Sequence, residues 1–437
     1  MTPRRSERSP SRLLSRRYVA AALAFSSAAL AAGCPRAGHA DAVAAPASLS
    51  SVKLQRVGDF IRGEIAAGKM PGAIILIQQH GRPVYFECFG VRDVDSKHPM
   101  TPDSIFRMFS MTKPITSVAA MMLVEEGRLA LQDPLAKYIP AFANMRVGVE
   151  KADENGEPVL VLEPLQRPIT IEDLLRHTSG LTYGFYGDNA VRKLYANSDL
   201  FAGEFDNDVF AARIAKLPTA EQPGTRWDYG HSTDVLGRVI EVISGRTLYE
   251  FEKTKLFDPL GMNETAFFVG DPAQRPRIAQ SMPGDGFDRP LAGIRDPTLP
   301  RRWQSGGAGL VGTIGDYARF AQMLLNGGTL NGRRYLKPET ITLMASDHIG
   351  PETGIARDQF YFPGANSGFG LGFAVRTSVP DGTSWPLGEY RWDGVAGTFF
   401  FVDPRDDMFA IFMIQAPSQA GRIQLPLKAL IYEALER

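Results

Sequence analysis

The hydrophobic positions of this chain change period along its length. Leu54, Val57, Ile61 and Ile65 recur three and four residues apart, which predicts a helix with one apolar face that Gly68 closes. Ile74-Ile75-Leu76-Ile77 is an unbroken apolar run and predicts a buried strand. His80-Gly81-Arg82-Pro83 is a turn, and Val84 to Phe89 is the return strand. A second apolar helix is expected from Ile115 to Glu126, ended by Gly127, with Pro114 acceptable in its first turn because those N–H groups are spare anyway. From Asp133 to about Pro300 helices and long loops dominate, and Lys151 to Gly156 is a polar turn compatible with an inserted hairpin. Strand signals return in Gly372–Val375, in Tyr390–Phe401 and in Met408–Gln415, and Leu425 to Leu435 reads as a closing helix. Strands at both ends with helices between imply an α/β (α+β) fold: one mainly antiparallel sheet flanked by helices, built from about 51–110 and 300–437, beside a helical region of about 130–300.

The N-terminus follows another rule. Arg4, Arg5, Arg8, Arg12, Arg16 and Arg17 precede an Ala-rich apolar run from Tyr18 to Ala32, as in a signal peptide spanning 1–40. Ser15-Arg16-Arg17 resembles the start of a twin-arginine signal. Gly38-His39-Ala40 is the favoured cleavage site and implies an exported, periplasmic or secreted protein. Ala31-Ala32-Gly33-Cys34 is the alternative, a lipoprotein anchored through Cys34. Residues 41–50 are a linker by composition. The run is too short for a spanning helix of about 20 residues, so no transmembrane span is expected in the mature chain.

Composition narrows the function. The 437 residues carry 48 basic and 48 acidic side chains, so nothing favours nucleic acid as a partner. The six histidines show no metal-ligand spacing, and no cofactor is implied. With Cys34 lost on cleavage, Cys88 is alone and reads as a buried structural thiol.

Two stretches carry chemistry. Ser110 and Lys113 lie three apart at a helix start, so they share a face. A serine hydroxyl needs a base beside it, and a desolvated lysine can serve. The same spacing recurs at Ser50 and Lys53, where Ser50 reads as a helix N-cap. Tyr229 stands at a loop-to-helix junction, where its phenol could relay a proton to a leaving group. Tyr195, in Tyr195-Ala196-Asn197, competes for that role but precedes a polar loop. Gly230-His231-Ser232-Thr233-Asp234 is a poor nucleophile elbow, since its fifth position is Asp and no strand precedes it.

Five phrases in order give the chain a family likeness: Ser110-Met111-Thr112-Lys113, Leu174 to Leu181, Pro223 to Tyr229, Ser305 to Leu310, and Trp392-Asp393-Gly394-Val395-Ala396-Gly397. From about Val52 onward it resembles the serine β-lactamase-like and penicillin-binding superfamily, and most of all the family VIII carboxylesterases. The resemblance implies a β-lactamase/transpeptidase-like fold. It also implies Ser110 as nucleophile, Lys113 and Tyr229 as base and proton relay in an order left open, and an oxyanion hole from the backbone N–H groups of Ser110 and Val395. Trp392, Asp393, Gly394 and His231 are the expected substrate contacts. His177, within the second phrase, reads as structural.

Two departures bear on substrate. His231 stands where the related enzymes carry an amide, and Trp392 stands where lactamases and D-peptidases carry a lysine. The expected reaction is hydrolysis of small neutral esters through an acyl-enzyme. A β-lactamase or D-amino-acid peptidase activity, and a non-catalytic penicillin-binding-like role, are the alternatives.

Overall fold

The computed structural model describes residues 47–286, 296–383 and 385–436. The signal-peptide and lipoprotein readings fall outside the described residues.

The expected joining of the two chain ends is found. Seven antiparallel strands run in the order Ser367–Phe369, Ala374–Arg376, Tyr390–Asp393, Phe399–Asp403, Met408–Ile414, Gly72–Gln79 and Arg82–Gly90. The last strand of this sheet in sequence therefore pairs with its first, with Ile411 opposite Leu76 and Phe412 opposite Ile75. The unbroken apolar run at 74–77 has a direct cause: both faces of the sheet are covered. Ile75 and Ile77 lie with Phe401 and Phe412 beneath the helices Ser51–Ala66 and Ala420–Glu433, against Leu54, Val57, Ile61, Leu427 and Ile431. Ile74 and Leu76 face the other way, with Phe400 and Ile411, toward Tyr317 and Phe320 of the helix Ile314–Leu325, and the Tyr317 and Phe400 ring centres lie 5.0 Å apart. Alternate strand residues point to opposite faces, so each run feeds two cores.

The helical region contains Ile171–Leu175, Asn207–Ile214 and Ser232–Ser244. It also contains the hairpin suggested by the polar turn, Arg146–Ala152 against Pro158–Pro164. Asp153 Oδ1 closes that turn by accepting from the backbone N–H groups of Asn155 (2.8 Å) and Glu157 (2.9 Å).

Three expectations need correction. The segment Tyr390–Phe401 is two strands, with Trp392 opposite Phe400. Gly397 takes φ +92°, and the Gly394 N–H donates to the Thr398 carbonyl (2.7 Å), so the chain reverses where an unbroken strand was expected. The closing helix begins at Ala420, five residues earlier than its apolar pattern suggests. Of the residues read as linker, Ser48 and Leu49 pair antiparallel with Glu436 and Leu435, and Ser50 stands at the N-cap of the first helix without a side-chain cap bond. Cys88 is half-buried on a strand, and burial pushes its thiol up to about 11, in keeping with an inert structural role.

Candidate active site

The Ser110 turn is held from two sides. The short strand Phe106–Arg107 pairs with Val311–Gly312. The Met108 N–H donates to the Leu310 carbonyl (2.9 Å), and the Leu310 N–H donates to Thr112 Oγ1 (3.1 Å). The Ser305–Leu310 phrase is thus laced along the turn. On the other side Gly394 lies so close that a Cβ there would meet the Met108 carbonyl oxygen at 2.4 Å. That approach seats the end of the strand Tyr390–Asp393 beside Met108, two residues before Ser110. Phe109, buried at 1% exposure, takes φ +46°. A bulky side chain in the left-handed region costs of order 1–3 kcal/mol and persists only where its surroundings hold it.

Lys113 is the most enclosed cation of the site, at 1% exposure. Its Nζ lies 3.2 Å from Ser110 Oγ, 3.2 Å from the Tyr183 hydroxyl and 2.8 Å from the Gly307 carbonyl oxygen. It also lies 4.6 Å from the centre of the Tyr229 ring. Burial pushes the Lys113 ammonium down to about 7, against an opposing pull from Asp234 and Asp393.

Tyr229 is placed by the Leu174–Leu181 phrase. The Asp228 N–H donates to the His177 carbonyl (2.9 Å), and the His177 ring lies 4.9 Å from that of Tyr229. A Cβ on Gly230 would fall 1.9 Å from the Leu181 carbonyl oxygen, so only glycine lets the two loops meet. His177 itself is fully buried and held neutral by burial and by Lys113, as its structural reading requires. Burial drives the Tyr229 phenol well above its ordinary value; Ser110 and Trp392 pull the other way without completing a well-formed hydrogen bond to its hydroxyl.

Two expected substrate contacts are placed elsewhere. His231 is 4% exposed, its Nδ1 is 2.9 Å from Asp234 Oδ2, and its ring is enclosed by Tyr183, Phe201 and Phe210. Asp393 points to the opposite face of its strand from Trp392, as alternation demands, and accepts from Gln424 Nε2 (2.8 Å). Burial raises its pKa, against the pull of Gln424, Arg391 and Lys113. Trp392 does face the site. Its ring centre is 5.4 Å from Tyr229 and 5.1 Å from Phe362, and its Nε1 is buried without a partner. Arg391 is turned away, donating to the Pro363 carbonyl (2.6 Å) and Ser367 Oγ (2.9 Å). Tyr195 lies in the helix Ala190–Ala196 beside Asp228 and is not among the partners of Lys113. Ser232 is bonded to Ser179 (2.8 Å), both buried.

Sequence reasoning missed Tyr183, Gly307 and Phe362. Tyr183 stands two residues past a phrase already singled out, and Gly307 lies inside another. Phe362 is 44% exposed, yet its ring lies 5.0 Å from that of Tyr229, at the edge of the site.

The chain belongs to the beta-lactamase family, whose model matches residues 57–433. It is a hydrolase or acyl-transfer enzyme of that fold. It is similar to Protein Rv1367c of Mycobacterium tuberculosis, 37% identical over 365 residues that cover 81% of this chain and 88% of the relative. It is similar to the lovastatin esterase of Penicillium rubens, 31% identical over 376 residues that cover 80% of this chain and 90% of that one. Among solved structures it resembles EstCE1, described as a hydrolase with promiscuous acyltransferase activity, with a TM-score of 0.73 and 25% identity over 88% of this chain and 98% of that one.

Proposed function

We propose that this chain is a carboxylesterase for small neutral esters that works through an acyl-enzyme on Ser110. The observation that carries the reading is the buried Lys113 amine, 3.2 Å from Ser110 Oγ and poised near neutrality. A neutral amine has two N–H donors and one lone pair. The Gly307 carbonyl can only accept, so it takes one N–H; Tyr183 takes the other, and the lone pair is left for the Ser110 proton. This ordering favours Lys113 as base, because Tyr229 is held protonated by its burial. The Tyr229 hydroxyl, buried without a hydrogen-bond partner, then donates its proton to the departing alkoxide and is reprotonated by the Lys113 ammonium, which passes on the proton taken from Ser110. The backbone N–H groups of Ser110 and Val395 stabilise the oxyanion.

Trp392 sets the substrate class. An indole offers one neutral donor and a large apolar face, where a lysine would form a charge-assisted bond to a substrate carboxylate. Losing such a bond costs about 1.5–3 kcal/mol, roughly 10- to 150-fold in binding. A neutral ester loses nothing by the change. The test is kcat/KM for p-nitrophenyl butyrate beside kcat/KM for nitrocefin. The ester should be preferred by at least the lower end of that range. Preference for the cephalosporin would put the lactamase reading in its place, and turnover of neither would favour the non-catalytic one. The description of EstCE1 supports a second outcome for the acyl-enzyme, transfer to an alcohol in place of water.

A further inference from the structure

Asp234 lies in the first turn of the helix Ser232–Ser244, and its carboxylate is buried at 3% exposure. Its Oδ1 accepts from Ser305 Oγ (2.5 Å) and from the Gly307 N–H (3.1 Å). Its Oδ2 pairs with His231 Nδ1 (2.9 Å). Burial alone would raise its pKa, but His231, the Lys113 ammonium and Ser305 together hold it below the usual value. Gly307 is the shared element. Its N–H is bound to Asp234, while its carbonyl accepts from Lys113 Nζ at 2.8 Å. A Cβ at Gly307 would lie 3.0 Å from both Asp234 oxygens, so glycine lets this backbone rest directly on the carboxylate. The same pair braces a second partner of Lys113: the His231 ring packs edge-on against Tyr183, with centres 4.5 Å apart.

The charges that act on Lys113 can be named. Asp234 and Asp393 oppose the loss of its proton; Tyr183, Tyr229 and His177 are its other titratable neighbours. Burial drives the two phenols and the imidazole to their neutral forms. Burial raises the pKa of Asp393, whereas His231, Lys113 and Ser305 hold that of Asp234 below its ordinary value.

We propose that Asp234, braced by His231 and Ser305, is a positioning residue for Lys113: it pins Gly307 beneath the amine and supplies the negative charge that keeps this buried lysine basic enough to work. The inference rests on the reading of Ser110 and Lys113 given above. Its sign is definite. A negative charge favours the ammonium, so its removal leaves the amine neutral down to lower pH. The acid limb of Ser110 activation should then move to lower pH.

The rate of Ser110 labelling by a fluorophosphonate, followed against pH, reads activation without the deacylation step. Wild type should show an acid limb near pH 7. Asp234→Asn should move it down by about one pH unit, the scale of a nearby opposite charge. Ser305→Ala keeps the charge and removes one of its donors. Its limb should not move down, and its plateau rate should fall, because Gly307 loses a fixed neighbour. If Asp234→Asn does not fold, Ser305→Ala decides: a plateau equal to wild type, or a limb that moves down, overturns the inference. A folded Asp234→Asn with its limb unmoved overturns it as well. Absence of any limb in wild type, or labelling that survives Ser110→Ala, instead overturns the underlying reading of Ser110 and Lys113.

Discussion

The chain contains the same four-residue spacing twice, and the two copies have opposite surroundings. Ser50 and Lys53 stand at the start of the first helix, where Lys53 is about half exposed and its Nζ lies 3.4 Å from Glu436 in a surface ion pair. Such pairs contribute about 0–1 kcal/mol and are screened by salt. Ser110 and Lys113 stand at the start of the second long helix, where Lys113 is enclosed and meets three oxygen partners within 3.2 Å. The spacing brings a hydroxyl and an amine to one helix face in both. Only burial lowers the cost of a neutral amine, and only the second site has it. The spacing therefore marks a geometry, and the chemistry comes from what covers it: the Ser305–Leu310 segment, the Tyr229 loop and the Gly394 turn.

Substitution at the two serines breaks the comparison most sharply. Ser110→Ala should lower ester turnover by ~10³-fold or more, since it removes the covalent route. Ser50→Ala should leave turnover unchanged and shift stability by less than about 1 kcal/mol, because no side-chain cap bond is lost. Steady-state kinetics and thermal melts on the two variants check this. Equal losses of rate would show that the surroundings do not separate the sites.

A smaller effect sharpens the picture of what covers the second site. Phe362 is an exposed ring beside Tyr229 and Trp392, and on the proposed reading it adds apolar wall at the edge of the acyl site. Phe362→Ala should lower kcat/KM by roughly 10-fold for a p-nitrophenyl hexanoate and leave the acetate little changed, since each methylene in an apolar pocket is worth about 1 kcal/mol or more. Parallel losses for both esters would place the ring outside the acyl path.

Much of this was legible in the chain. The doubly buried sheet announces itself in Ile74–Ile77 and Met408–Ile414, because strands covered on both faces need no polar positions. The site phrases were legible as well, but their internal roles were not. His231 occupies the position of a substrate-binding amide, yet it faces Asp234, because the first turn of its helix folds it inward. Asp393 follows Trp392 in sequence and is turned from it by strand alternation. Tyr183 and Phe362 reach the site from loops 46 residues before and 133 residues after Tyr229, and loops carry no period from which such meetings can be read. The two-strand reversal at Gly394–Gly397 was missed although Asp393-Gly394 and Gly397-Thr398 supply turn residues in the chain.

The central claim is that Ser110, activated by a buried and nearly neutral Lys113, is the nucleophile. Peptide mass mapping after fluorophosphonate treatment at pH 8 tests it most directly. The account predicts one covalent adduct, on the peptide containing Ser110, absent from Ser110→Ala and undiminished in Ser50→Ala. An adduct on another serine, or none while ester turnover persists, would contradict it.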